Sequence, residues 1–465
     1  MNNSKKILLF VPDSLSIRNY LYSSFIDELL KNNAEVMIYH DISNQALLAV
    51  LEIQKNIKSI KKIPRFIENS KARILRESIA YARLLSNKKV LKNDSIMAFW
   101  NRKSSNWKQI LLYRLAEILG FLFSKSNKLL SIADCIYEKE ISKSKQIKIV
   151  TNDLKSFDPD LILNLHPRTI SSSLVAAVAK NLKIKTATVI FSWDNIPKAR
   201  LISRYDNYFV WSDLMKEELK LLYPEIRLQQ IKVVGTLQFE FYFKEKFYIE
   251  KEIFFKKFGL DIHKKTICFS ANDLSSPYEH NYFQDLCEEL SKINELDRPQ
   301  IIFRNSPVDK TNRFDAILQN YNSFVHSISP DWKIDEIGSI YPTYNDIFLL
   351  INTVKHSDLV INLGSTMAHD FAVFDKPCLY LNYDPIENSE FKVKDIYEFQ
   401  HFQSMKNIDA VGWINSKKDF VSKIFETLEN PKKIAKDRNL WMQKIVNYPL
   451  EDNSINLAKE IISIC

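Results

Sequence analysis

DLVINLGSTMAHDFAVFDKPCLYL, residues 358–381, reads as a strand, a glycine turn, a short helix and a Lys-Pro entry into a second strand. Ile361 and its neighbours form a buried β-branched run. Gly364 permits the tight turn, and Ser365 is of the type that caps a following helix. The first backbone N–H groups of such a helix, near Thr366 and Met367, lack partners within the helix and suit a phosphate. An ordinary N-cap would use the same Gly-Ser-Thr turn, but the whole segment, ending in Asp-Lys-Pro, favours a ligand. Asp370 lies one helical turn past Thr366 on the same face. An exposed first-turn carboxylate suits both a ligand site and the helix dipole alone.

Working outward, strands and helices alternate on both sides of this segment. Upstream are the strand KTICFSAN (265–272), the helix YFQDLCEELSKI, the strand PQIIFRNSP (299–307) and the helix NDIFLLINTVKHS. A separate series runs through KILLFVP, the helix YLYSSFIDELLKN, AEVMIYH, DPDLILNLH (158–166), KTATVIFSW (185–193) and IKVVG (231–235). Strands alternating with helices predict α/β domains with parallel, doubly wound sheets. Two Rossmann-like domains are expected, at 1–245 and 246–465, the second ending in helices broken at Pro431 and Pro449. A helical insertion is expected at about 45–150. Its part from Lys55 to Lys92 is rich in Lys and Arg, and its apolar stretch 107–123 is interrupted by Arg114 and Glu117. The pair can form a membrane-facing surface. Its apolar faces are broad enough that 107–123 is expected to be a buried core helix.

At 465 residues the chain exceeds one ordinary core, which agrees with two domains. A net charge of +9 favours anionic partners. Nucleic acid is not expected, because no helix-turn-helix, zinc finger or aromatic-basic motif is present. Five scattered cysteines carry no metal or redox spacing and fit a reducing cytoplasm. The start has too short an apolar run for a signal peptide, and no apolar run reaches the ~18 residues of a spanning helix. The six glycines form no G-x-G-x-x-G, which argues against a nicotinamide oxidoreductase. Asp158-Pro159-Asp160 precedes a strand and is expected to be a turn, so no metal is expected.

Two such domains with a phosphate-facing helix in the second resemble the GT-B fold of nucleotide-sugar glycosyltransferases, in particular bacterial surface-polysaccharide transferases. The resemblance rests on NLGSTMAHDFAVFDKP (362–377), FSWDNIPKAR (191–200), YDNYFVWSDLMKEEL (205–219) and VVGTLQFEFY (233–242). The first segment is also similar to the donor-site segment of CDP-glycerol glycerophosphotransferases, in which a Ser-Ser pair opens the helix. Here the pair is Ser365 and Thr366, and the Asp-Tyr that precedes it in that group is replaced by Leu363 and Gly364. This departure moves the expected donor from glycerophosphate to a sugar. The resemblance implies sugar transfer from a nucleotide-sugar to a capsule, lipopolysaccharide or similar acceptor, with no metal or cofactor. It gives Asp370 the ribose hydroxyls, and the cysteine pattern with the basic and apolar stretches at 55–123 fits a cytoplasmic enzyme that can lie at the inner face of the plasma membrane. The alternatives are an epimerase similar to UDP-N-acetylglucosamine 2-epimerase, a glycerophosphotransferase, and a basic binding protein without catalysis.

Arg304 and Asn272 follow strands and fall at carboxyl strand ends, where open α/β sheets bind ligands. A guanidinium suits phosphate, so Arg304 is the stronger donor-site candidate of the two. Asp194, His166 and Asp13 close strands or occupy the first βα loop of the first domain, and each can serve as the base for an acceptor hydroxyl. Asp194 stands first, because Trp193 and Asn195 beside it match the family segment.

Overall fold

The computed structural model describes residues 4–336 and 338–465. Strands β1 (Lys5–Val11), β2 (Ala34–His40), β3 (Ser59–Lys62), β4 (Leu161–Asn164), β5 (Lys185–Val189), β6 (Asn207–Val210) and β7 (Ile231–Val233) form one parallel sheet in the order β3-β2-β1-β4-β5-β6-β7. A second parallel sheet uses β8 (Thr266–Ser270), β9 (Gln300–Arg304), β10 (Val325–Ser327), β13 (Leu359–Asn362), β14 (Cys378–Leu381) and β15 (Gly412–Ile414). Its order is β10-β9-β8-β13-β14-β15. Between them in sequence, β11 (Trp332–Ile334) and β12 (Ile340–Pro342) form an antiparallel ribbon. Parallel neighbours need crossover connections, and sheets covered on both faces have strands of nearly continuous apolar residues. KILLFV and TICFS have that composition.

Each sheet reverses its strand order once, between β1 and β4 and between β8 and β13. Loops leaving the carboxyl ends of such neighbours diverge and leave a crevice. Asp13 and His166 follow the first pair, and Asn272 and Gly364 follow the second.

Alternate residues of β1 point to opposite faces. Leu8 and Phe10 pack with Met37, Tyr39 and Leu154, while Ile7, Leu9 and Val11 belong to a core that also includes Cys268, Val360 and Tyr380 of the second domain. This shared apolar core joins the two domains. The last helix, Asn453–Ile464, returns to the first domain. Asn453 Nδ2 donates to Thr236 O at 3.1 Å, and the Ser454 hydroxyl donates to the buried Glu240 carboxylate.

Three elements differ from the sequence expectation. The helix expected over Tyr20–Asn32 is split into a π-turn, Ile17–Leu21, and a helix, Phe25–Lys31. Glu240 takes the Ser24 N–H at 2.9 Å where the second piece begins. Within the basic stretch, Ser59–Lys62 is an edge strand on β2 rather than part of a helix, and the long helix Ser70–Leu91 follows it. Helix Trp107–Phe123 is not a core helix, because only Ala116 and Gly120 are buried in it. It meets helix Ser70–Leu91 through its small residues. A Cβ on Gly120 would lie 2.6 Å from the Ser78 carbonyl oxygen.

Asp158-Pro159-Asp160 is a turn. Asp158 ends helix Ile147–Phe157 at φ +48°, and Lys6 bonds Asp158 Oδ2 through Nζ at 2.9 Å and Asp160 Oδ2 through its backbone N–H at 2.8 Å. Among the described residues, no helix is long and apolar enough to cross a membrane.

Candidate active site

A cleft of about 1020 Å³ opens between the domains. Asp194, Asn272, Arg304, Gly364, Ser365, Thr366, Met367 and Asp370 all line it. Asp13 and His166 do not.

The second-domain wall is built on the loops after β8, β9 and β13. Gly364 has φ +66°, and a Cβ there would lie 3.0 Å from Phe402 and 3.1 Å from Ile396, so the turn requires glycine. Asn362 Oδ1 accepts the Ser365 N–H at 2.9 Å, and Ser365 Oγ accepts the Met367 N–H at 3.4 Å. The N-cap of the short helix Met367–Val373 is Thr366, one residue past the expected Ser365, and its side chain makes no capping hydrogen bond. Asn272 Nδ2 donates to Leu363 O at 2.6 Å and so ties the loop after β8 to the loop after β13. The Asn272 N–H donates to fully buried Glu279, whose carboxyl burial pushes up to about 8.

Arg304 is buried at the end of β9. Its Nη2 donates to Asp346 Oδ1 at 2.8 Å, while its Nη1 is buried without a partner among the described residues. Asp346 also accepts from Trp332 Nε1 at 2.9 Å. Burial pushes the Asp346 carboxyl up, but Arg304 and Arg18 outweigh it and hold the group below the usual range. Arg18 comes from the π-turn of the first domain and lines the same cleft. The same two guanidiniums act on Asp370. That residue is 3% exposed, so it is not the exposed first-turn carboxylate of the sequence expectation. Burial pushes it up to about 6, against the Tyr242 hydroxyl bond at 2.8 Å and the charges of Arg18 and Arg304.

On the first-domain wall, Asp194 is paired with Lys198 and accepts from Asn195 Nδ2 at 2.9 Å. Burial pushes it up, but the Lys198 ammonium and His401 overcome this and hold it well below the carboxylate range. His401, from the second domain, is itself pushed down to about 4 by burial. Trp193 stands edge-on to His401 at 4.8 Å, to His369 at 5.0 Å and to Trp441 at 5.9 Å. One aromatic side chain of the first domain is thus inserted among aromatic rings of the second.

Asp13 and His166 form a separate pair, with Oδ2 and Nδ1 2.5 Å apart. They meet because β1 and β4 are neighbours. Asp13 lines a second groove of about 510 Å³, together with Asp41 and Lys310.

Sequence reasoning missed Arg18, Lys198, Asp346 and His401. Lys198 lies four residues past Asp194, and Arg18 lies in the first βα connection, so both had a usable signal. His401 sits in an irregular segment and had none.

No protein-family sequence model matches the chain, and no curated protein sequence matches it. Its architecture does match solved structures. One is UDP-GlcNAc 2-epimerase from Neisseria meningitidis, bound to UDP-GlcNAc, at 14% identity and a TM-score of 0.53, covering 98% of this chain and 100% of that one. UDP-GlcNAc 2-epimerase from Methanocaldococcus jannaschii matches at 15% identity and a TM-score of 0.52, covering 99% of each chain. A glycosyltransferase from Rickettsia africae matches at 14% identity and a TM-score of 0.51, again covering 99% of each chain. At such identities the likeness defines the fold. The chain has the GT-B-like architecture of two parallel-sheet α/β domains.

Proposed function

We propose that this chain is a nucleotide-sugar enzyme that transfers the sugar to a surface-glycan acceptor without a metal ion. The observation that carries this reading is Arg304. A buried guanidinium nitrogen with no partner costs free energy, and an anionic ligand in the cleft that Arg304 lines would remove that cost. Arg18 adds a second guanidinium from the opposite domain, and Gly364 and Thr366 add backbone N–H groups at a strand end, those of Ser365 and Met367 being taken by Asn362 and Ser365. These groups suit the leaving phosphate of a nucleotide-sugar.

In this reading the acceptor hydroxyl oxygen attacks the anomeric carbon and inverts it. The bond from that carbon to the phosphate oxygen breaks, and its electron pair leaves with the nucleotide. Asp194 takes the hydroxyl proton. Paired with Lys198, Asp194 is a weak base. A donor phosphate beside Lys198 gives that ammonium a second anion and moves Asp194 back toward its ordinary range. The acid limb of the kcat profile is then expected at higher pH than that of kcat/KM. Coincident limbs would remove Asp194 as the base.

A second reading, a nucleotide-sugar epimerase, draws support from the epimerases among the matching folds and from Asp194, Asp370 and His401 lining one cleft. Incubation with UDP-N-acetylglucosamine alone separates the two. An epimerase yields the 2-epimer, whereas a transferase leaves the sugar configuration unchanged and needs an acceptor. A screen that includes CDP-glycerol tests the glycerophosphotransferase alternative. Failure of every nucleotide to bind would overturn all three.

A further inference from the structure

Helix Trp107–Phe123 presents its large apolar side chains to solvent. Trp107 is 68% exposed, Ile118 61%, Phe121 54% and Leu122 52%, with Leu111 and Leu115 also exposed. At 100° per residue these positions fall within an arc of roughly 120°, as wide as the stripe that normally faces a core, with the long side chain of Arg114, paired with Glu117, inside it. The opposite side carries Ala116 and Gly120, and the close approach of Gly120 to Ser78 fixes which side faces the protein. The next helix, Asn127–Ile141, adds exposed Leu129, Ile132 and Ile136 at i, i+3 and i+7. Patches of this kind mark interaction surfaces.

The surrounding charge selects the partner. Residues 103–148 contain nine Lys and Arg against four Asp and Glu. All four acids are already engaged. Glu117 accepts from Trp100 and pairs with Arg114, Asp134 pairs with Arg83 and Arg204, Glu138 with Lys180, and Glu140 with Lys143. Lys108, Lys125 and Lys128 are exposed beside the apolar arc. With Lys108, Arg114 and Glu117 in its 17 residues, the helix is suited to lying in a membrane interface and not to spanning the bilayer.

We infer that the helical pair Trp107–Phe123 and Asn127–Ile141 docks the protein on an anionic lipid bilayer, with the apolar arc in the headgroup region and the lysines on lipid phosphates. Phe99, Asn101 and Lys103, which lead into the first of these helices, line the interdomain cleft, so a docked protein holds that cleft next to the bilayer surface. This inference does not depend on which reaction the cleft performs.

The test is co-sedimentation of the full chain with vesicles of phosphatidylcholine alone and of phosphatidylcholine with phosphatidylglycerol. Binding is expected to the anionic vesicles at low salt and to weaken at about 0.5 M salt, where the Debye length is only a few ångströms. The double substitution Ile118→Glu and Phe121→Glu is expected to lower partitioning at least about tenfold. Both side chains are exposed, so the thermal midpoint should not change. Absence of binding to anionic vesicles, or binding unaffected by the double substitution, would overturn the inference. A lipid-free dimer in sedimentation equilibrium that the same substitutions dissociate would also overturn it, by assigning the arc to a second copy of this chain.

Discussion

The two walls of the interdomain cleft each hold an aspartate, Asp370 fully buried and Asp194 partly so, and the two carboxylates are driven in opposite directions. Asp370 on the second-domain wall is pushed up to about 6 by burial, with a tyrosine hydroxyl as its hydrogen-bond partner. Asp194 on the first-domain wall is only partly buried and sits four residues before Lys198, and its carboxyl is held low. Burial sets the cost of charge on both walls, and the nearest cation decides whether that cost is met. The first wall is therefore poised to hold an anion that can exchange partners, and the second to hold a carboxyl close to its titration point.

The contrast can be broken first at Arg304. Arg304→Ala leaves buried Asp346 without its ion pair and is expected to cost about 3–5 kcal/mol in denaturant unfolding. Adding Asp346→Asn should recover much of that. A loss below about 1 kcal/mol would mean that the pair does not hold the wall together. On the opposite wall, Asp194→Asn is expected to lower kcat by about two to four orders of magnitude without weakening donor affinity in calorimetry, because it frees Lys198 for the donor phosphate. Near-normal turnover would remove Asp194 as the base.

Asp370 gives a pH signature of the opposite sign to that of an ion-paired carboxylate. Its folded-state value of about 6 exceeds the ordinary 3.8, so the folded state holds the extra proton between those values. Stability should fall as pH rises from about 4 to 6, by on the order of 2–3 kcal/mol. Asp370→Asn should flatten that slope, and a slope that survives the substitution would place the titration elsewhere. The smallest effect is expected at Gly364. Gly364→Ala forces a side chain into the left-handed region against Phe402 and Ile396, at a cost of about 1–2 kcal/mol. An unchanged thermal midpoint would show that the turn relaxes freely.

Much of the second wall was legible in the sequence. A parallel sheet covered on both faces yields uninterrupted β-branched runs, and the residues after such runs fall at the ligand-binding edge. Asn272, Arg304 and Gly364 were found in this way. Strand order is not written in a local pattern. The adjacency of β1 and β4, which joins Asp13 to His166 and separates both from Asp194, became visible only in three dimensions. The stretch 107–123 misled for a related reason. An apolar arc indicates burial only if it faces the protein, and here Gly120 and Ala116 face helix Ser70–Leu91 instead. Arg18 lies in the first βα connection, ahead of the expected helix, where its position at a strand end was a signal that sequence reasoning passed over.

The central claim is that the turn from Gly364 to Met367, with Arg304 beside it, binds the phosphates of a nucleotide. Isothermal titration of the wild-type chain and of Ser365→Ala/Thr366→Ala with UDP, GDP, CDP, CMP and TDP tests it most directly. Saturable binding of one nucleotide is expected, weakened about tenfold in the double variant as the turn loosens, with the thermal midpoint of the unliganded chain little changed. Equal affinity in the two proteins, or no nucleotide binding to the wild type, would contradict it.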